Sequence, residues 1–164
     1  REDAMPTIKR ILCPIDFSDT AAVAAREAAA LARAAGAELL LLHVLHEPFM
    51  AGSNEPGYRA PVAQQYEMIV RRKLDAAASS LRVLAKVRTL LVHGQVEDAI
   101  AQAANRHGAD VIVMGTRSRK GLQRILGDSM TERVMRKSRV PVVRVSPAEI
   151  RRPSMPHVSP HGTA

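Results

Sequence analysis

The chain has no tryptophan, and its aromatic residues are only Phe17, Phe49, Tyr58 and Tyr66. A nucleic-acid surface built from aromatic stacking platforms is excluded for want of residues, and any core must be aliphatic. The single cysteine, Cys13, rules out an internal disulfide and suits a reducing compartment. No run reaches the roughly 18 consecutive apolar residues that read as a transmembrane helix. Arg1-Glu2-Asp3-Ala4-Met5 lacks the apolar stretch of a signal peptide, so a cytoplasmic protein is expected. The Gly-x-x-x-x-Gly-Lys-Ser/Thr phosphate loop does not occur. No Gly-x-Gly-x-x-Gly turn follows the first apolar strand, which argues against NAD or FAD.

What remains is a chain of 164 residues, 46% hydrophobic and 24% charged, long enough for one domain with a real core. Its 24 Lys and Arg against 16 Asp and Glu leave a net charge of +8. Such a balance fits anions, nucleic acid or acidic surfaces as partners, or solubility alone.

Residues 8–15 read as a short strand ended near Pro14. Asp16 to Thr20 form a turn in which Ser18 or Asp19 can cap the next helix. That helix, about 20–35, is mostly alanine and stops at Gly36. Residues 38–45 are nearly continuous apolar sequence, as in a parallel strand buried on both faces. Residues 46–60, rich in Pro and Gly, read as a loop. A helix over about 61–82 carries one apolar stripe of Val62, Tyr66, Ile69, Val70, Leu74, Ala77 and Leu81. A strand over 86–92, a helix over about 96–107 with Glu97 and Asp98 at its positive end, and a strand over 110–114 follow. Residues 115–128 are a basic loop with a short helix at 121–126. A helix over about 129–138 and a strand over 140–145 complete the domain. Residues 147–164 contain Pro147, Pro153, Pro156 and Pro160 and read as a flexible tail outside a domain spanning 6–146.

Five strands alternating with four helices imply an α/β fold: a doubly wound, five-stranded parallel sheet with helices on both faces. The economical strand order is 3-2-1-4-5, with its switch point between strands 1 and 4. Ligands of such sheets bind at the carboxyl ends of the strands at that point. The site is therefore expected at Pro14-Ile15-Asp16 and from Met114-Gly115 onward. There the basic loop resembles a phosphate cradle: glycines turn backbone N–H groups toward an anion, the next helix adds its N-terminus, and Arg117, Arg119, Lys120 and Arg124 add charge. A surface loop with solvated cations is the alternative.

Cys13-Pro14-Ile15-Asp16-Phe17-Ser18, Leu42-His43-Val44, Val111 through Thr116 and Pro141-Val142-Val143 together resemble the universal stress protein domain over about residues 6–146. The resemblance implies the adenine nucleotide alpha hydrolase-like version of this fold, a homodimer and a stress-response role. One branch of the family binds ATP through Gly, two residues, Gly, nine residues, then Gly followed by Ser or Thr. Here Gly115 fills the first position, Ser118 stands at the second, Asp128 at the third and Ser129 after it, with Gly127 one place early. By the same resemblance Asp16 approaches the ribose or a metal such as Mg²⁺. Pro14, Ile15, Val44 and Met114 line the adenine, and Ser129 and Met130 start the helix under the phosphates.

The departures have physical weight. Asp128 before a helix is a good N-cap, and its carboxylate would occupy the place of a phosphate unless Mg²⁺ bridges them. Ser129-Met130-Thr131-Glu132 also reads as a capping box that satisfies the helix start without a ligand. Two readings follow: an ATP-binding stress regulator, or a dimeric interaction module with a degraded phosphate loop. The expected dimer contact is the last strand through Val142, Val143 and Val145. Arg144 interrupts an otherwise apolar pattern there, and an edge charge opposes pairing.

No catalytic constellation is recognisable, and slow ATP hydrolysis is the most that is left open. His43 and His46 are expected on opposite faces, which disfavours a metal pair. His93 reads as structural and Cys13 as a packed, inert thiol. His157 and His161 lie in the tail. The basic run from Arg117 to Arg139 has no aromatic partners or reading motif, so nucleic acid is not expected.

Overall fold

The computed structural model describes residues 7–46, 56–116 and 129–146, with the side chains of 56–60 outside the description. The basic loop, including Arg117, Ser118, Gly127 and Asp128, and the tail from Pro147 onward lie outside the described residues. So does the short helix expected at 121–126.

The elements are β1 (Arg10–Pro14), α1 (Asp19–Ala35), β2 (Glu38–Leu45), α2 (Pro56–Leu81), β3 (Lys86–His93), α3 (Val96–Arg106), β4 (Val111–Gly115), α4 (Met130–Lys137) and β5 (Val142–Val145). The strands form one parallel sheet in the order β3-β2-β1-β4-β5, as the alternation of elements implied.

The period of two along the strands separates two cores. Ile11, Cys13, Ile15, Leu39, Leu41, Val111 and Val113 face α1 and α2. Leu12, Leu40, Leu42, Ile112 and Met114 pack with Ile100 of α3 and Val134 of α4. α1 buries Ala21, Ala24, Ala25, Ala28, Ala29 and Ala32, so the side chains it buries on the sheet are methyl groups. Its ends are set by local chemistry. Ser18 accepts the Ala21 N–H at its start, and Gly36, at φ 65°, turns the chain at its end.

Two expectations about α2 need correction. It begins at Pro56, inside the segment read as a loop, and Pro61 lies within it. A proline is well suited to a first helical turn, so Pro61 looks like a helix start; Pro56 holds that place instead. The expected stripe is also only half buried. Val70, Leu74 and Leu81 are buried together with Ala78, Ala77 is half-buried against the same core, and Tyr66 and Ile69 are exposed. At this end of the sheet α2 packs on β3, β2 and α1, and the contact is narrower than the stripe.

The acidic first turn of α3 does more than oppose the helix dipole. Glu97 lies 3.7 Å from Arg133 Nε and 3.8 Å from Lys137 Nζ, and Asp98 lies 2.7 Å from Lys137 Nζ. These pairs tie α3 to α4. Among the described residues no helix is long and apolar enough to cross a membrane.

Candidate functional site

β1 and β4 are neighbours, with Ile11 beside Val111 and Leu12 beside Ile112. Their chains leave the sheet in opposite directions, β1 through α1 to β2 and β4 through α4 to β5. The crevice between them is the switch point.

On the β1 side Ile15 is fixed from both ends. Its N–H donates to Leu42 O at 2.8 Å, and its carbonyl lies 2.7 Å from His43 Nδ1. With a carbonyl as partner, Nδ1 is the protonated nitrogen. Asp16 follows, exposed. Its Oδ1 accepts the Ser18 N–H at 3.0 Å and also the Ser18 hydroxyl. Ser18 Oγ in turn accepts from Ala21 N–H. Strand end, acidic side chain and helix start are thus one hydrogen-bonded turn.

That turn needs a left-handed residue, and Phe17 supplies it at φ 61°; it is the one non-glycine residue with positive φ among the described residues. A bulky side chain there is strained. The Phe17 ring lies 4.5 Å from the His43 ring, centroid to centroid. Sequence reading missed both residues as parts of the site. The available signal was the sharp reversal that Asp-Phe-Ser must make between a buried strand and a capped helix. His43 is a packed, hydrogen-bonded side chain. His46 Nδ1 lies 3.3 Å from Gly94 O.

On the β4 side Met114 is buried and Gly115 ends the strand. A Cβ at Gly115 would lie 2.7 Å from Thr20 O and 3.0 Å from Thr20 Cγ2. This glycine is required by the start of α1, a reason independent of any phosphate. Thr116 is anchored to β5, its N–H donating to Val145 O at 2.9 Å.

Pro14, Val44, Met114 and Met130 sort to one side of the sheet. Met114 belongs to the α3/α4 core, and Val44 and Met130 pack against it. Pro14 follows Leu12 by the strand period. Ile15 belongs to the opposite core, so its side chain lies on the α1 face. What it presents at the strand ends is backbone.

α4 opens with a closed capping box: Ser129 Oγ accepts the Glu132 N–H and Glu132 Oε2 accepts the Ser129 N–H, both at 3.2 Å. Cys13 is fully buried and its thiol pKa is pushed up to about 12 by burial, so it is inert. Among the described residues no group of three or more His, Cys, Asp or Glu side chains is placed to hold a metal ion.

Comparison with known proteins gives a consistent result. The profile of the universal stress protein family matches residues 7–146. A universal stress protein of Methanocaldococcus jannaschii is 31% identical over 150 residues, covering 82% of this chain and 93% of that protein. One from Thermus aquaticus is 35% identical over 137 residues, covering 84% and 98%. Among solved structures, a family member from Burkholderia pseudomallei superposes with a TM-score of 0.67 at 29% identity, covering 87% of this chain and 98% of that one. A universal stress protein in complex with cAMP superposes with a TM-score of 0.60 at 21% identity, covering 85% and 98%, and there the likeness is one of fold.

Proposed function

Since the chain belongs to the universal stress protein family, we propose that it is a cytoplasmic stress-response regulator holding an adenine nucleotide, ATP, where β1 and β4 diverge. The observation that carries this reading is the grouping of Pro14, Val44, Met114 and Met130 on one side of the sheet at the strand ends, with Asp16 beside them. Pro14, Val44 and Met130 are half-buried, which suits an apolar ring laid across them. Asp16 is an acceptor for ribose hydroxyls or a ligand for Mg²⁺ accompanying the phosphates. Gly115, Arg117, Ser118, Asp128 and Ser129 are the residues proposed to face the phosphates. That a protein of the same fold is found with cAMP is in keeping with a nucleotide ligand.

A second reading has its own observation. The capping box already engages the Ser129 and Glu132 N–H groups, so two donors at the start of α4 are satisfied without an anion. Here the chain is a dimeric interaction module, with Ser118 and Asp128 marking a degraded loop. In both readings the homodimer forms through β5, where Val142, Val143 and Val145 supply the apolar contact and Arg144 meets an acid of the second copy. The unpaired Cys13 is in keeping with a reducing location.

Thermal unfolding of nucleotide-stripped protein with Mg-ATP, AMP, cAMP and GTP separates the two. A ligand at 100 times its Kd stabilises by about 2.7 kcal/mol, or roughly 5–11 °C for a domain of this size. A shift confined to adenine nucleotides is the expected result. No shift with any nucleotide leaves the interaction module.

A further inference from the structure

The sheet ends at β3 on the side away from β5. β3 pairs with β2 along its whole length, from Lys86 opposite Glu38 to His93 opposite Leu45. No strand lies on its other side among the described residues. Main-chain groups along such an edge are a template for one more strand. Side chains along β3 alternate: Val87 and Leu91 join the α1/α2 core, Leu90 and Val92 the α3/α4 core. Lys86 and Arg88 therefore belong to the α3/α4 side, two residues apart and about 6.6 Å along the strand.

These two cations are held in place. Glu38 lies 3.5 Å from Lys86 Nζ, 3.7 Å from Arg88 Nη2 and 3.9 Å from Arg10 Nε. Its side chain is 17% exposed, whereas those of Lys86, Arg88 and Arg10 are 81%, 46% and 49% exposed. One shielded carboxylate faces three outward cations, and positive charge is left over. Asp110, a nearby acid, accepts the main-chain N–H groups of Lys9 and Arg10 at 2.7 and 2.9 Å. Arg106 adds to the same field: burial first, then Arg88, Arg106 and Arg10, hold the His107 imidazole below its ordinary pKa.

We infer that the β3 edge docks an extended acidic segment of a partner protein, added as a sixth strand with acidic side chains at alternate positions opposite Lys86 and Arg88. Opposite charges directly across two strands attract, and like charges repel. The intervening side chains of the segment are apolar or β-branched, since they continue the row of Val87 and Leu91. Nucleic acid fits less well, because β3 itself carries no Phe, Tyr or Trp on which a base could stack.

The test uses the full chain and two labelled peptides of one composition. In one, glutamate alternates with valine and threonine; in the other, the glutamates are consecutive. Fluorescence polarisation gives affinity, and amide hydrogen exchange locates the contact. The expected result is binding of the alternating peptide at least about ten-fold tighter than its isomer, because only alternation puts every acid on one face. New exchange protection at β3 accompanies it. Lys86→Ser with Arg88→Thr lowers the affinity about ten-fold or more while Tm stays near that of the parent, surface pairs contributing little to stability. Equal binding of both peptides with displacement by duplex DNA, protection at β5 in place of β3, or no binding would each overturn the inference.

Discussion

Gly115 and Thr20 are in contact across the mouth of the sheet, with no room between them for a methyl group: a Cβ on Gly115 would stand 2.7 Å from the Thr20 carbonyl oxygen. The obstacle is backbone at the first turn of α1, which cannot swing aside as a side chain can. Gly115→Ala is expected to destabilise by about 1–3 kcal/mol, the range of overpacking, and Gly115→Val by more. Chemical denaturation checks this without nucleotide. If Gly115→Ala is as stable as the parent, the contact is not tight, and the glycine answers to the phosphate loop alone.

Phe17 gives a ranking opposite to the usual one. Glycine ordinarily weakens a position relative to alanine. At φ 61° alanine keeps the backbone strain and loses the ring contact with His43, while glycine loses the ring but relieves roughly 1 kcal/mol of strain. Phe17→Gly is therefore expected to be more stable than Phe17→Ala, by about that amount, in urea unfolding. The reverse order would mean that the turn is not left-handed in solution.

Asp16 separates ligand binding from folding. Its carboxylate holds the Ser18 turn through exposed hydrogen bonds, so Asp16→Ala is expected to cost about 1 kcal/mol in the ligand-free protein. The same change is expected to abolish most of the Mg-ATP stabilisation. A variant that keeps the full nucleotide shift removes Asp16 from the site.

Stability is expected to fall at both pH extremes for identifiable reasons. Burial raises the Cys13 thiol from 9.0 to about 12. Above pH 9 the unfolded thiol ionises while the folded one stays protonated, so rising pH draws the equilibrium toward unfolding, and Cys13→Ala flattens that limb. Asp110 is lowered from its usual 3.8, first by the N–H groups of Lys9 and Arg10. Its contribution is present above pH 3.8 and is lost as pH falls through the lower folded value. It is small, below about 1 kcal/mol for so exposed a group, and Asp110→Asn reduces it. Tm against pH for the two variants and the parent tests both.

The strand order, the two faces of the sheet and three caps were legible because each rests on short-range chemistry. Ser18, Gly36 and the Ser129–Glu132 pair act where local pattern places them. The start of α2 was not legible, since two prolines five residues apart are equally good first-turn residues and only the surroundings choose between them. Tyr66 and Ile69 have helical spacing yet stand exposed, because spacing alone does not say how much of the stripe the sheet covers. At the site, the grouping of Val44 with Met114 follows from strand period and register. The tie of Phe17 to His43 and of Gly115 to Thr20 does not, because each joins elements far apart in the chain and depends on how closely α1 approaches the sheet.

That approach is set by six buried alanines. Were one of them to grow by two methyl groups, α1 would have to lift, and Thr20 would lift with it away from Gly115. The helix thus behaves as a shim whose thickness fixes the gape of the crevice. Substitutions a full helix-length from the strand ends are felt there through volume, with no change of charge and no contact with whatever the crevice holds.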